Sequence, residues 1–281
     1  MILKKFIIAF IVCCLFVACK QKYAGFEQND NGLFYQFHLQ NENAVKPANG
    51  DIVVLSMNIH TESDSIIEPT KSISTMMQSP KFSGDIFDAL AMMHKGDSAT
   101  FIINAKQYYQ IYNYGHIPDF VNDKTMLWFT FCIHDIYNYQ EYQQSLLEKA
   151  NSIEKEQIET YLLENNITIE PRESGLIYIE TKTGKGAFAQ VGTTCIMNYT
   201  GKFLDGTIFD SSVERNQPFS FVLGQGQVIK GWDEGIALMK KGGKATLIIP
   251  SALAYGERGA GGGSIPPHTP LIFDVELIDF K

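Results

Sequence analysis

Two hydrophobic periodicities alternate along the chain, and they do so twice in the same order. Each time an extended, β-rich stretch follows a glycine turn, a short helical stripe ends at Lys-Gly, and a strand of period-two alternation closes the unit. The first unit runs from Gly50-Asp51-Ile52-Val53 through Lys95-Gly96 to the segment FTFCIHDI beginning at Phe129. The second runs from Gly192-Thr193-Thr194-Cys195 through Lys241-Gly242 to FDVELIDF beginning at Phe273. Trp232, Ile236 and Met239 form the second helical stripe, for which Gly242 reads as the C-cap. Asp205-Gly206 between two extended runs is a hairpin signal. This grammar predicts an α+β fold in which mostly antiparallel strands carry one short helix.

The two units also match in their residues. MHKGDSATFII, beginning at Met93, aligns with MKKGGKATLII, beginning at Met239, 146 positions later. The glycine turns at Gly50 and Gly192 lie only 142 positions apart, so the first copy lacks about four residues in its middle loop. Between the copies, Tyr142, Leu146, Ala150, Ile153, Ile158, Tyr161 and Leu162 recur close to helical spacing among glutamates and lysines. A helix of that length extends ~40 Å at 1.5 Å per residue. Its apolar stripe must bury against something: one of the two units, with the helix as spacer, or else a dimer partner or a client protein.

The N-terminus answers a different question. Lys4-Lys5 precede an apolar run from Phe6 to Ala18, and Cys19 follows, which is the order of a secretory signal. The run is shorter than the ~20 residues of a spanning helix. Leu15-Phe16-Val17-Ala18-Cys19 resembles a bacterial lipobox, in which Cys19 would be acylated and become the mature N-terminus. Cys13 and Cys14 would leave with the signal, and Cys132 and Cys195 remain in strand-like apolar stretches where free cysteine behaves as a small hydrophobe. The net charge of −8, from 31 acidic and 23 basic side chains, gives no basic surface for nucleic acid or anionic lipid, so membrane attachment would depend on the lipid anchor.

The C-terminal text MNYTGKFLDGTIFDSS, QVIKGWDEGIALMKKGGKATLIIP and AYGERGAGGGSIPPHTPLIFDVELIDF resembles the FKBP-type peptidyl-prolyl isomerases nearly word for word, over roughly residues 171–281. The resemblance implies two FKBP-like domains, each a twisted antiparallel sheet wrapped on a short helix, joined by a long helical linker. The expected divisions are a signal peptide (1–18), a tether (19–31), a degenerate FKBP-like domain (32–138), the linker (139–170) and a catalytic domain (171–281). By position in the family pattern, catalytic roles fall on Asp210, Tyr255, Phe209 and Trp232, with Trp232 as the floor of a proline pocket. Tyr199, Phe219, Val228, Ile229 and Phe273 would line it, and Ile265 would close over the substrate. Asp210 and Tyr255 would supply polar contacts, Tyr255 through its hydroxyl, and Ile229 would donate its backbone N–H to a substrate carbonyl. No cofactor or metal is implied.

Pocket chemistry of this kind suits the reaction. Rotation about an Xaa-Pro bond faces a barrier of ~18–20 kcal/mol from amide resonance, and no bond has to be made or broken to lower it. A twisted amide has less charge separation than a planar one, so an apolar, water-poor site with aromatic walls favours it over the ground state. Departures from the family pattern are local. The loop Glu257–Ser264 has neither the histidine nor the proline of some members, which implies altered sequence preference or drug affinity. As a phosphate cradle it lacks a following helix and runs into Pro266-Pro267.

In the first copy, Met57 stands for Tyr199, Ile67 for Phe209, Glu68 for Asp210 and Ile86 for Trp232, while Tyr109 and Phe129 keep the aromatic positions of Tyr255 and Phe273. That copy is expected to be inactive, with the loop Ile111 to Lys124 either packed on its own domain or offered to unfolded chains. His38, His60, His94, His116, His134 and His268 have no metal-ligand spacing, and no Cys-x-x-Cys, G-x-S-x-G or H-E-x-x-H motif occurs. The expectation is therefore a lipid-anchored envelope isomerase, on the periplasmic side of the outer membrane, acting on proline-containing unfolded or nascent envelope proteins. Macrolide inhibitors are implied ligands, nucleic acid is not, and the linker helix could dimerise. The competing reading is a non-enzymatic chaperone or assembly module that binds extended peptides in both clefts.

Overall fold

The computed structural model describes residues 22–281, so the signal, Cys13, Cys14 and Cys19 lie outside the described residues. The chain divides into two compact units, with the boundary between Gln143 and Gln144.

The first unit contains β1 (Glu27–Gln28), β2 (Phe34–Leu39), β3 (Ile52–His60), β4 (Ile66–Met76), α1 (Ile86–Met92), β5 (Ser98–Asn104), α2 (Ala105–Tyr112) and β6 (Met126–Tyr137). Its strands form one antiparallel sheet in the order β1-β2-β5-β6-β3-β4. Alternation along β3 sends Val53, Leu55, Met57 and Ile59 to the inner face. There they meet Phe87, Leu90 and Met93 from α1 and its end, with Phe101, Phe129 and Phe131 from the sheet. Asp85 starts α1 and is fully buried, yet its carboxylate accepts from the N–H groups of Phe87, Asp88 and Lys81 and from the Tyr112 hydroxyl. Four donors offset the cost of removing that carboxylate from water.

The second unit holds most of α3 (Tyr139–Glu164), then β7 (Ile177–Lys182), β8 (Lys185–Phe188), β9 (Thr194–Lys202), β10 (Ile208–Ser211), β11 (Phe219–Val222), α4 (Lys230–Ala237), β12 (Lys240–Lys241), β13 (Lys244–Ile249) and β14 (Leu271–Phe280). Its main sheet runs β7-β13-β14-β9-β10, and β11 also pairs with β9. With β2 set against β7, β5 against β13, β6 against β14 and β3 against β9, the strand orders of the two units coincide. Registers coincide too: Met57 faces Phe131 as Tyr199 faces Val275, and Ile59 faces Phe129 as Gly201 faces Phe273.

The expected deficit of four residues has a definite place. The first unit crosses its sheet edge in one strand, Ile66–Met76, whereas the second spans Ile208–Val222 with two short strands and an excursion between them. The Asp205-Gly206 hairpin joins β9 to β10, closed by hydrogen bonds between Phe203 and Thr207 and by the Thr207 N–H to the Asp205 carboxylate.

Two expectations need adjustment. Gly242 is not the cap of the helical stripe: α4 ends at Ala237, Leu238 is its cap, and Gly242 turns the chain between β12 and β13 at φ +77°, donating to the Leu277 carbonyl. Met239 accordingly packs from beyond the helix end. The helical stripe of α3 is also only partly buried. Ile158, Tyr161 and Leu162 pack on Ile177, Ile248 and Ile272 of the second sheet, but Leu146 and Ile153 remain exposed. The C-terminal half of the helix thus covers a sheet face.

Candidate functional site

The core of the second unit opens into a cleft of about 170 Å³. Tyr199 reaches it from β9, Phe209 and Asp210 from β10, Phe219 from β11, and Phe273 from β14. Gln227, Val228 and Ile229 form the approach to α4, Trp232 stands in its first turn, and Tyr255 comes from the turn after β13.

Trp232 is almost wholly buried and packs edge-to-face against Tyr199 at 5.1 Å, Phe273 at 5.3 Å and Phe219 at 6.1 Å. Phe209 meets Phe273 at 5.6 Å in the same manner. Such perpendicular contacts hold rings upright, so that their faces and edges make a walled space rather than a stack. The bare face of Gly201 in β9 makes room for two of these walls: a Cβ there would lie 2.7 Å from the Phe209 ring and 2.8 Å from the Phe273 ring. The indole N–H of Trp232 is buried without a hydrogen-bond partner among the described residues, an unusual state for a polar group in a folded interior.

One rim of the cleft is polar. The Asp210 carboxylate accepts from the Tyr199 hydroxyl and from the Arg215 guanidinium, and Arg215 donates to the Tyr199 oxygen at 3.0 Å. Burial alone would raise the Asp210 pKa, but these donors and the guanidinium charge outweigh it and hold the carboxyl below its ordinary value. Burial and the neighbouring Asp210 both push the Tyr199 phenol up, and Tyr255 is raised by burial and then by the Asp210 charge. Arg215 sits in the excursion between β10 and β11, the stretch absent from the first unit.

The opposite rim is held by backbone. Ile229 caps α4 in an extended conformation, and its carbonyl accepts from Trp232 N–H at 2.9 Å. Gln227 accepts from Val222 N–H at 2.9 Å, while the Asp233 carboxylate accepts from Gly224 and Gly226. The segment that presents Val228 and Ile229 is therefore tied at both ends.

Of the ten residues singled out in the domain, nine line this cleft. Ile265 does not: it is buried in the core and pairs with Ala260 through two backbone hydrogen bonds that close the glycine-rich loop. Sequence reading missed Gln227 and Arg215, whose parts depend on loops without a periodic signal. Among the described residues, no three or more His, Cys, Asp or Glu side chains gather as metal ligands.

The same place in the first unit is filled. Ile59 stands at the register position of Gly201 and is fully buried. Helix α2 lays Tyr108 edge-on against Phe129 at 4.8 Å and Tyr112 near Phe87, with the Tyr112 hydroxyl bonded to Asp85 at 2.8 Å. Glu68, expected opposite Asp210, pairs with Lys71 on the same strand.

Comparison with known proteins agrees with this geometry. The model of the FKBP-type peptidyl-prolyl cis-trans isomerase family matches residues 185–278. FK506-binding protein 1 of Dictyostelium discoideum is 54% identical over 100 residues, which cover 36% of this chain and 92% of that protein. The probable FKBP-type peptidyl-prolyl cis-trans isomerase of Haemophilus influenzae is 51% identical over 111 residues, 40% of this chain and 45% of that one. Among solved structures, FkpA from Escherichia coli is 39% identical, covering 50% of this chain and 64% of its own, with a TM-score of 0.43. The chain belongs to the FKBP-type peptidyl-prolyl cis-trans isomerase family.

Proposed function

We propose that the cleft of the second unit catalyses rotation of Xaa-Pro bonds without covalent chemistry, assisting the folding of envelope proteins. The observation that carries this reading is the walled aromatic space over Trp232 with a single polar rim. Its volume of about 170 Å³ suits one prolyl side chain. Trp232 is the floor under the pyrrolidine ring, and Tyr199, Phe209, Phe219, Val228 and Phe273 exclude water from the amide. Once water is excluded, the polar planar amide loses solvation that the twisted amide needs less, and the barrier falls.

Ile229 N–H and the Tyr255 hydroxyl orient flanking carbonyls, and Asp210, kept ionised by Tyr199 and Arg215, faces the amide. Residues 171–281 constitute the catalytic domain, residues 32–138 an inactive counterpart, and macrolides of the type bound by FK506-binding relatives compete for the cleft.

Delivery to the envelope rests on the N-terminal sequence: Lys4-Lys5, the apolar run and Cys19 fit a signal followed by acylation and a membrane tether. Among the described residues no helix is long and apolar enough to cross a membrane. The first test is acceleration of cis/trans exchange in a short Xaa-Pro peptide by protein lacking residues 1–19, beside the Trp232→Ala, Phe273→Ala double variant. Acceleration by the former and its loss in the latter support the reading. No acceleration by the unsubstituted protein overturns it in favour of a peptide-binding chaperone. Loss of labelled fatty-acid incorporation in Cys19→Ser tests the anchor.

A further inference from the structure

Helix α3 is 26 residues long, and the one residue on it that is buried is a carboxylate, Glu154. Burying a charge is expensive unless donors meet it. Here both donors come from one residue, 97 positions later in the chain: Ser251 N–H donates to Oε1 at 2.5 Å and the Ser251 hydroxyl to Oε2 at 2.6 Å. Ser251 is itself buried and opens the turn Ser251–Leu253, which follows Pro250 at the end of β13. Four residues on stands Tyr255, at the rim of the cleft. Between Ser251 and Tyr255 the backbone is held by the turn's own hydrogen bonds, Leu253 N–H to Pro250 and Ala254 N–H to Ser251, and Leu253 and Ala254 pack on the core. Ser251 is thus the polar anchor of the segment that carries Tyr255 to the rim.

We propose that Glu154 is a positioning residue for the cleft: from α3, outside the stretch matched by the family model, it clamps Ser251 and so sets the direction from which the Tyr255 hydroxyl meets the substrate. The inference rests on the reading of Tyr255 as a substrate contact. It makes α3 a working part of the catalytic unit as well as a cover for Ile177, Ile248 and Ile272.

The test measures kcat and KM for an Xaa-Pro peptide, with thermal melts, in the chain lacking residues 1–19. Glu154→Ala should lower kcat/KM about fivefold to tenfold, a size usual for loss of one oriented contact. Glu154→Gln should restore it to within about twofold, because the amide oxygen still accepts from Ser251 N–H and the amide nitrogen can donate to the hydroxyl. In a Tyr255→Phe background, Glu154→Ala should cost less than about twofold, since the two changes remove one effect. Ser251→Ala, which keeps the N–H bond, should fall between. A Glu154→Ala protein at the unsubstituted rate, or the same fold-loss with and without the Tyr255 hydroxyl, would overturn the proposal and leave Glu154 a simple helix anchor. An unsubstituted protein that does not isomerise at all would overturn the isomerase reading and this inference with it.

Discussion

The two units carry the same strand order and the same register, and they differ in what fills the hollow of the sheet. At the position where the second unit has Gly201, which leaves room for the Phe209 and Phe273 rings, the first has a buried Ile59. Where the second sends a spare turn, Ser251 to Leu253, past the rim, the first has helix α2 with tyrosines laid inward. Where the second makes an excursion that brings Arg215 to Asp210, the first runs straight. A cleft is thus something this fold forgoes core packing to keep. The first unit packs the same space and gains a continuous core; the second leaves apolar walls facing a void and ties its rims with hydrogen bonds.

The most severe way to break the contrast is to write the first unit's choice into the second. Gly201→Ile should place its branches against the Phe209 and Phe273 rings and lower kcat/KM roughly 100-fold or more, about 2.7 kcal/mol of transition-state stabilisation. Peptide isomerisation checks this, and circular dichroism establishes that the sheet persists. The reciprocal change, Ile59→Gly, opens a cavity in a closed core and adds backbone freedom, and should destabilise the first unit by about 4 kcal/mol. Denaturant titration should reveal that loss while the isomerase constant stays unchanged, because the substituted core lies in the other unit.

A subtler contrast lies in the acid limb of the pH profile. Asp210 has a depressed pKa, so its contacts are fully present above the ordinary carboxylate value of 3.8 and are lost as pH falls through the lower folded value. The isomerase rate should be level from neutral pH down to about 4 and decline only below it. Asp210→Asn should lower the rate throughout and remove that Asp210-dependent decline. A decline in the unsubstituted protein starting well above pH 4 would argue that another group controls the rim. The smallest effect is expected from Tyr112→Phe in the first unit, which removes one hydrogen bond to Asp85 and should cost about 1 kcal/mol of that unit's stability with no change in rate.

How much of this was legible in the sequence follows from which interactions are periodic. The spacing of 142 placed Met57 against Tyr199, the matching segments FTFCIHDI and FDVELIDF placed Phe129 against Phe273, and the sheet registers bear out both pairings. Strand periodicity is a local property that survives substitution of apolar by apolar, so the degenerate copy could still be read. The cleft walls were legible because the motif text resembled a known family, not because any single aromatic announced its role. Gln227 and Arg215 act through loops, where spacing carries no phase. Glu154 looked like one more solvated glutamate on a charged helix, and only the fold could bring Ser251 to it. Gly242 was misread because a glycine after a helical stripe resembles a cap whether or not the chain has already left the helix.

The chain contains two tryptophans, Trp128 in the first unit and Trp232 in the second. Trp232 lines the cleft with an indole N–H that has no hydrogen-bond partner among the described residues, ringed by other aromatic groups. Its fluorescence is therefore an intrinsic optical gauge of the site: in a Trp128→Phe background, the emission maximum and quenching would report whatever enters.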